Sequence, residues 1–360
     1  MACSSRLVPR QVDRRRWKFS ALGLALSLGL ASCRAERDNS ERAVSGPASA
    51  AATKLPSPPG SAAVAASAVP HTAGTRLILL GTKGGPRVGP PGTPTSTSTL
   101  ILVNGVPYII DCGYGTSSQL VGAKVALNTV RHVFVTHHHS DHMIELGPLV
   151  YNGWATGLRT QVDVYGPPGT AKMITDFLAY MQLDIQTRMA DEGRPDLRKL
   201  VVSRDLAEPG MVFQNPDVKV TAARVPHPPI EQAYAYRFET KDASIVISGD
   251  TTYAPKLAEF AKDADVLVHE VMHLGGIEKL LKRVPNPAAL REHLIASHTL
   301  PADVGKIAAA ARVKTLVLSH LVPGDDPSIT DDMWTQGVAK HFTGRIIVGK
   351  DLMEVSLPPH

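Results

Sequence analysis

The sequence predicts an α/β fold in which short apolar strands alternate with helices and carry polar side chains at their ends. Apolar runs of strand length occupy residues 130–135, 244–247 and 313–318, and a histidine or an aspartate follows each within three residues. Residues 171–183 instead place apolar side chains at helical spacing. Strand ends are where α/β proteins build their sites, so we expect these polar residues to meet.

The first 73 residues are predicted to lie outside the folded domain. Residues 1–33 begin with a basic segment, continue with the apolar stretch 19–30 and end at Cys33, which is typical of a bacterial lipoprotein signal peptide. We therefore expect an exported protein that is periplasmic or anchored to the membrane by a lipid on Cys33, with an ordinary secretory signal as the alternative. Residues 34–73 are rich in Ala, Ser and Pro and predict a flexible tether. Residues 74–360 then form the folded domain.

The distribution of charge argues against a nucleic-acid partner. The net charge is +5, and residues 1–33 supply all of it through six basic residues against Asp13 alone. The rest of the chain carries 32 basic and 32 acidic residues, whereas nucleic-acid enzymes usually present a basic surface. With 43% hydrophobic and 20% charged residues, the composition suits a large buried core.

The predicted domain opens with a strand at residues 76–82 and a hairpin. Its two strands, at 99–103 and 106–112, are separated by Asn104–Gly105, a pair that favours a tight turn. Between the first strand and the hairpin, the Gly84–Gly85 loop lacks the lysine spacing of a phosphate-binding loop. We interpret it as a simple connection.

The densest set of metal-binding residue types follows the strand at 130–135. Residues 136–142 are Thr-His-His-His-Ser-Asp-His. Since side chains alternate along an extended chain, every second residue from His137 to Asp141 can face one way while His138 faces the other. A turn at Ser140–Asp141 would return His142 to the same side. One ion rarely takes all its ligands from one loop, so the spacing predicts two metals that share this loop.

Three further residues stand at predicted strand ends. Asp250 follows the apolar run 244–247, and an acid at the end of a buried strand is costly unless it is paired or bound to a metal. His320 follows the strand at 313–318 in the same way. His227 also follows a strand, but its spacing alone favours a metal ligand no more than a surface position.

In the order of these motifs the chain resembles the metallo-β-lactamase superfamily, and within it the ribonuclease Z and arylsulfatase branch. The resemblance extends from about Thr75 to the C-terminus and includes Ser-Gly-Asp-Thr at 248–251. It implies a four-layer αβ/βα sandwich, in which two mixed sheets pack face to face and two metals lie at one edge. The ligands it implies are His137, His139 and His227 for one ion and Asp141, His142 and His320 for the other, with Asp250 and a hydroxide between them.

Residues 269–273 form a competing motif. His-Glu-x-x-His is the signature of zinc proteases, in which Glu270 would be the general base. That motif works on a helix, whereas residues 265–268 predict a strand that leads straight into it. In the branch that the chain resembles, a glutamate at this position supports a histidine, here His298, as a proton relay. The alternative for His298 is a structural place at the start of a helix.

The segment that follows the predicted helix at 171–183 is expected to be irregular. Residues 184–210 are largely polar and show no clear apolar period. Ribonuclease Z has a protruding arm that grips transfer RNA, and no glycine-rich, basic insertion of that kind is evident here. This difference weakens the prediction of a transfer-RNA substrate.

These features together predict an exported two-metal hydrolase with a small-molecule ester substrate. The bridging hydroxide would attack a phosphodiester, and Asp141, Glu270 and His298 would be the catalytic residues. The expected ions are two zinc ions, with manganese or iron as alternatives. Sulfate-ester hydrolysis, as in arylsulfatases, and lactone or lactam hydrolysis are the alternative reactions. A homodimer is compatible with the sequence.

Overall fold

The computed structural model of the protein describes residues 73–358. The predicted signal peptide, Cys33 and the tether up to residue 72 lie outside these residues. Within them, strands and helices alternate along the chain as the sequence predicts, and no helix is long and apolar enough to cross a membrane.

One mixed sheet of seven strands is built mainly from the first half of the domain. Its strands are β1 (Thr75–Gly81), β2 (Ser98–Val103), β3 (Val106–Ile110), β4 (His132–Phe134), β5 (Val162–Gly166), β6 (Val201–Asp205) and β14 (Met353–Val355). Their order in the sheet is β14-β1-β2-β3-β4-β5-β6, with parallel pairing from β3 to β6. Asn104 and Gly105 have positive φ values of 50° and 81°, which confirms the tight hairpin turn between β2 and β3.

A second mixed sheet of seven strands comes from the later part of the domain. Its strands are β7 (Gly210–Gln214), β8 (Val218–Arg224), β9 (Tyr234–Thr240), β10 (Ser244–Ile247), β11 (Val266–Met272), β12 (Thr315–Val322) and β13 (Arg345–Val348). Their order is β13-β12-β11-β10-β9-β8-β7, and β10 to β13 are parallel. Every residue of β11 and β12 is buried, as expected for central parallel strands covered on both faces.

Helices cover the outer faces of both sheets. They are α1 (Thr116–Gly122), α2 (Ser140–Met143), α3 (Leu146–Ala155), α4 (Thr170–Tyr180), α5 (Gln182–Glu192), α6 (Pro255–Phe260), α7 (Leu274–Leu281), α8 (Pro287–Ser297), α9 (Pro301–Ala311) and α10 (Asp331–Val338). Side chains of α1, α3, α4 and α5 pack on the first sheet, and those of α6, α9 and α10 pack on the second. Between the sheets, Phe134 meets Phe238 with ring centroids 5.3 Å apart. The predicted four-layer αβ/βα sandwich is confirmed.

Two local predictions were wrong. Residues 184–210 are not irregular, because α5 buries Ile185 on one face and β6 pairs with β5 as an edge strand. Their polar residues lie on the exposed faces of these elements, which hid the apolar period. The expected turn at Ser140–Asp141 is instead the first turn of the short helix α2.

Candidate metal centre

The first group of predicted ligands lies in the loops that follow β4 and β8. His137 Nε2 and His227 Nε2 each lie 3.0 Å from His139 Nδ1. The other nitrogen of His227 donates to the backbone oxygen of Ser297 at 2.9 Å, and that of His137 donates to Thr136 Oγ1 at 3.1 Å. Both Nε2 atoms therefore turn a lone pair toward His139. Ligands of one tetrahedral zinc ion lie roughly 3.3 Å apart, so the three nitrogens have the spacing of a shared cation.

The second group lies directly beside the first. His320 Nε2 is 3.2 Å from Asp141 Oδ2 and 3.2 Å from Asp250 Oδ2. His142 Nε2 is also 3.2 Å from Asp250 Oδ2, and His137 Nε2 of the first group is 3.8 Å from that oxygen. The structure thus brings together all seven side chains, in two groups that both contact Asp250. Asp250 and His320 also lie close enough to His298 for these three to hold an ion. Their role as metal ligands stays a prediction.

Burial and charge at this site fit a bound cation. Burial alone would raise the pKa of Asp250, but the imidazoles of His142 and His320 hold it well below its ordinary value. Burial lowers the pKa of His137 well below its ordinary value and that of His227 to about 4. His142 Nε2 and Asp250 Oδ1 are buried without a hydrogen-bond partner among the described residues. Buried polar atoms need a partner, and divalent cations suit these nitrogen and oxygen donors.

The predicted relay residues lie on the same side of the site. His298 Nδ1 is 3.3 Å from Glu270 Oε2, and Glu270 Oε1 accepts the backbone N–H of Thr299 at 2.6 Å. Burial lowers the pKa of His298, but the carboxylates of Glu270, Asp250 and Asp141 outweigh burial and raise it above its ordinary value. Glu270 therefore fixes the ring and favours its charged form.

Comparisons with known proteins agree with this geometry. The family described as Anti-Pycsar protein Apyc1 matches residues 76–299, more than half of the chain. A ribonuclease Z from Mycobacterium sp. (strain KMS) is 33% identical over 287 residues, which cover 79% of this chain and 96% of that protein. The chain belongs to the Apyc1 family, within the metallo-β-lactamase superfamily and close to ribonuclease Z. The predicted superfamily is confirmed.

Solved structures show the same fold as this Apyc1-family chain. The metallo-β-lactamase fold protein YhfI from Bacillus subtilis has a TM-score of 0.57 at 18% identity and covers 78% of this chain and 99% of its own. The short form of human tRNase Z has a TM-score of 0.56 at 20% identity and covers 79% and 99%. At this identity the likeness establishes the fold alone.

Asp111, which the sequence analysis did not single out, holds two of the candidate ligands in this Apyc1-family protein. Its Oδ2 accepts His142 Nδ1–H at 2.8 Å and Thr136 Oγ1–H at 2.9 Å, and Thr136 in turn holds His137. Asp111 is buried at the end of β3 with a φ of 63°. Left-handed backbone costs a residue of this kind about 1–3 kcal/mol, a strain typical of functional sites. A buried acid after an apolar strand, the signal that identified Asp250, could have identified Asp111 as well.

His320 owes its direction to a β-bulge that the sequence did not reveal. The strand was expected to end just before this residue, but β12 continues to Val322. Glu270 pairs with Ser319 and Val271 pairs with Leu321, so His320 is the extra residue, with a φ of 44°. A bulge re-aims one side chain out of the strand alternation, and here it turns His320 toward Asp250.

The competing zinc-protease motif does not form in this fold. His269 and Glu270 lie in the strand β11, whereas His273 is the N-cap of α7, where its Nδ1 accepts the Gly276 N–H at 3.1 Å. Two histidines of an HExxH site must lie one turn apart on one helix. The structure therefore excludes that arrangement, as the sequence analysis expected.

A cavity of about 250 Å³ opens above the two groups of ligands. Candidate site residues, His298 among them, form part of its wall. Other parts of the wall come from Gly85, Pro86, Ser140, Leu290, His293, Leu294 and Val322. The ring of His293 lies 5.8 Å from that of His139. The sequence analysis gave His293 no role, because only the docking of α8 brings it to the site. His138 points away and bonds Thr170 Oγ1, as the strand alternation predicts.

Proposed function

We propose that this chain is a metal-dependent phosphodiesterase that acts on small molecules. The observation that carries the proposal is the pair of ligand groups that meet at Asp250, with the Glu270–His298 pair beside them. The two groups would hold two divalent cations, zinc first, with manganese or iron as alternatives. Such ions would supply Lewis-acid stabilisation of charge and a nucleophile derived from water.

The residues of the chain would hold the two ions and position the substrate. His137, His139 and His227 would hold one ion and Asp141, His142 and His320 the other, and Asp250 would contact both. The surrounding strands fix these side chains before a substrate arrives, so little reorganisation is needed on binding. The largely apolar cavity would hold the ester in place and limit the access of bulk water.

His298 is suited to protonate the leaving oxygen. Its Nδ1–H faces Glu270, which leaves Nε2–H as the proton donor, and His298 lines the same cavity as Asp250. Burial lowers the pKa of His298, but the neighbouring carboxylates raise it above its ordinary value and so favour the protonated ring that a proton donor needs. A proton donor of this kind favours an ester whose leaving group is a poor one.

A small diester fits the chain better than an RNA substrate. Residues 34–360 are balanced in charge, whereas nucleic-acid enzymes need cationic contacts to phosphates. The similarity to ribonuclease Z makes an RNA substrate the second candidate. The two candidates differ in their dependence on salt, because only a polyanionic substrate releases many counterions on binding.

A substrate panel tests the proposed function. The zinc-loaded protein is assayed with bis(p-nitrophenyl) phosphate, p-nitrophenyl phosphate, p-nitrophenyl sulfate and a precursor transfer RNA. We expect cleavage of the diester, and an Asp250→Ala variant that is inactive because both ligand groups lose their shared oxygen. Cleavage of the sulfate without the diester, or of the transfer RNA alone, would contradict the proposal.

We also propose that the protein is exported and anchored through Cys33. The support comes from the sequence alone, namely the basic segment, the apolar stretch and the cysteine within residues 1–33. Radioactive palmitate should label the wild-type protein in bacterial cells but not a Cys33→Ala variant. Equal labelling of both, or labelling of neither, would contradict the anchor.

A further inference from the structure

The loop Lys83–Gly85, interpreted above as a simple connection, contacts the second ligand group directly. Beyond the end of β1 the chain leaves the first sheet and runs beside β12 of the second. Leu321 N–H donates to the oxygen of Thr82 at 2.8 Å, and Gly84 N–H donates to the oxygen of Leu321 at 3.0 Å. Both bonds are made by Leu321, the residue after His320, so the loop pairs with the backbone next to this candidate ligand.

Gly84 packs against the His320 imidazole. A Cβ added at Gly84 would lie 2.6 Å from His320 Cε1 and 2.6 Å from Val322 Cγ2. Contacts below 3.0 Å force something to shift, and here the neighbour is the ring that approaches both Asp141 and Asp250. Glycine at this position therefore leaves the room that the present direction of His320 requires.

Both backbone polar groups of Gly85, the N–H and the carbonyl oxygen, form hydrogen bonds with side chains. Its N–H donates to Asp141 Oδ2 at 2.6 Å, and its oxygen accepts from the Lys83 ammonium at 2.8 Å. Lys83 is only 3% exposed. A lysine is rarely buried so completely without a specific partner, and the partner of this one is the residue whose N–H bonds Asp141.

We propose that Lys83, Gly84 and Gly85 form a positioning clamp for Asp141 and His320, and that this clamp sets the affinity of the second metal position. The inference rests on the two-metal centre of the proposed function. It concerns residues around the ligands and not the ligands themselves. Such supporting groups typically change metal affinity by about 10- to 100-fold when they are lost.

Two glycines of the connection between β1 and β2 provide a matched pair of variants. Gly84→Ala places a methyl group on the His320 ring, so we expect the second zinc ion to bind about 10- to 100-fold more weakly while the first is retained. Gly92 lies outside the clamp, and a Cβ added there would meet nothing within 4 Å. Because Gly92 has a φ of +90°, Gly92→Ala loses stability, but its zinc affinities should stay close to wild type.

Lys83→Met tests the clamp without crowding the site. It removes the hydrogen bond to Gly85 while it retains an apolar stem in the buried position. Loss of a positive charge near a cation site would by itself strengthen metal binding. A weaker second site in Lys83→Met therefore reports the lost hydrogen bond, and a stronger one would contradict the role of Lys83.

The measurement is the number of zinc ions per chain in the full-length protein, dialysed against a series of buffered zinc concentrations. Circular dichroism establishes that each variant is folded, and Lys83→Met carries the test if Gly84→Ala is not. Equal zinc titrations for wild type and Gly84→Ala, or fewer than two ions in the wild type, would overturn the clamp. Two ions and a weakened Gly84→Ala site without diester cleavage would support the clamp and reject the proposed function.

Discussion

Asp111 acts one hydrogen bond away from the candidate ligands. It binds His142 directly and reaches His137 through the hydroxyl of Thr136. These contacts fix which nitrogen of each ring carries the proton and leave both Nε2 atoms facing the site. Asp111 thus orients two candidate ligands that belong to different groups.

We expect Asp111→Asn to weaken metal binding at both positions. An amide has the shape of the carboxylate, but both carboxylate oxygens accept hydrogen bonds here, Oδ1 from the Thr136 N–H and Oδ2 from Thr136 Oγ1 and His142. The NH₂ group of an asparagine can accept none of them, so one side is lost in either orientation. Zinc affinity should fall by about 10- to 100-fold, as is usual for groups that orient ligands. Zinc titration of both proteins measures the change, and an Asn variant with unchanged zinc content would show that Asp111 serves the fold alone.

The contribution of His298 should depend on the leaving group. With an alkyl leaving group, His298→Ala should lower kcat by about 100- to 10,000-fold, because the departing oxygen needs a proton. With p-nitrophenolate, which leaves readily without one, the loss should be much smaller. The comparison uses ethyl p-nitrophenyl phosphate and diethyl phosphate with both proteins, together with their zinc content. Equal losses on both substrates would assign His298 a binding role.

The limits of sequence-based inference at this scale follow from distance along the chain. Residues 136–142 are adjacent, so their spacing alone indicated a metal site before any fold was known. Asp111 carries only the weaker signal of an acid after an apolar strand, and His293 carries none, because the docking of α8 alone brings it to the site. The bulge that aims His320 is a property of two paired strands and is likewise invisible in one segment.

At the scale of elements, the parallel strands β10, β11 and β12 supply the second half of the site. Asp250 follows β10, Glu270 lies in β11 and His320 lies in β12. Three neighbouring strands therefore each contribute one residue to the site at the same edge of the sheet. Buried apolar runs identified these strands in the sequence. The pattern failed for α5 and β6, because elements at the rim of a sheet bury too few residues to show a period.

The second histidine of the HExxH motif should matter for stability and not for catalysis. His273 caps α7 through Gly276 and contacts the ring of Trp334, with centroids 5.4 Å apart. His273→Ala should therefore lower the free energy of unfolding by about 0.5–2 kcal/mol, the usual cost of a lost cap. Diesterase activity and zinc content should be unchanged. A large loss of activity or zinc in a folded His273→Ala protein would support the zinc-protease hypothesis instead.

At the scale of the whole molecule, the two sheets contribute unequal parts of one site. The loop after β4 of the first sheet carries His137, His139, Asp141 and His142, and the second sheet brings His227, Asp250 and His320. The central core between the sheets holds these two sets in contact. Fold class and layer order followed from the alternation of strands and helices and from the family resemblance, whereas the contacts between the sheets required coordinates.

Removal of the metal should lower the stability of the whole domain. Ions that bind only the folded state stabilise it. Here they would also offset the cost of burying polar aspartates and histidines close together. Chelation should therefore abolish activity and lower the melting temperature by roughly 5–15 °C, and added zinc should restore both. Differential scanning calorimetry with and without chelator measures the shift. An unchanged melting temperature would argue against a metal at this site.

The division of the ligands between two sheets bears on how the protein matures. Neither sheet carries a complete set of candidate ligands, so both ions can bind with all their ligands only after the two sheets have packed together. Metal binding would then be the last step of folding, and only a correctly assembled domain would hold both ions. A chain that must cross a membrane before it folds would acquire its metals on the far side.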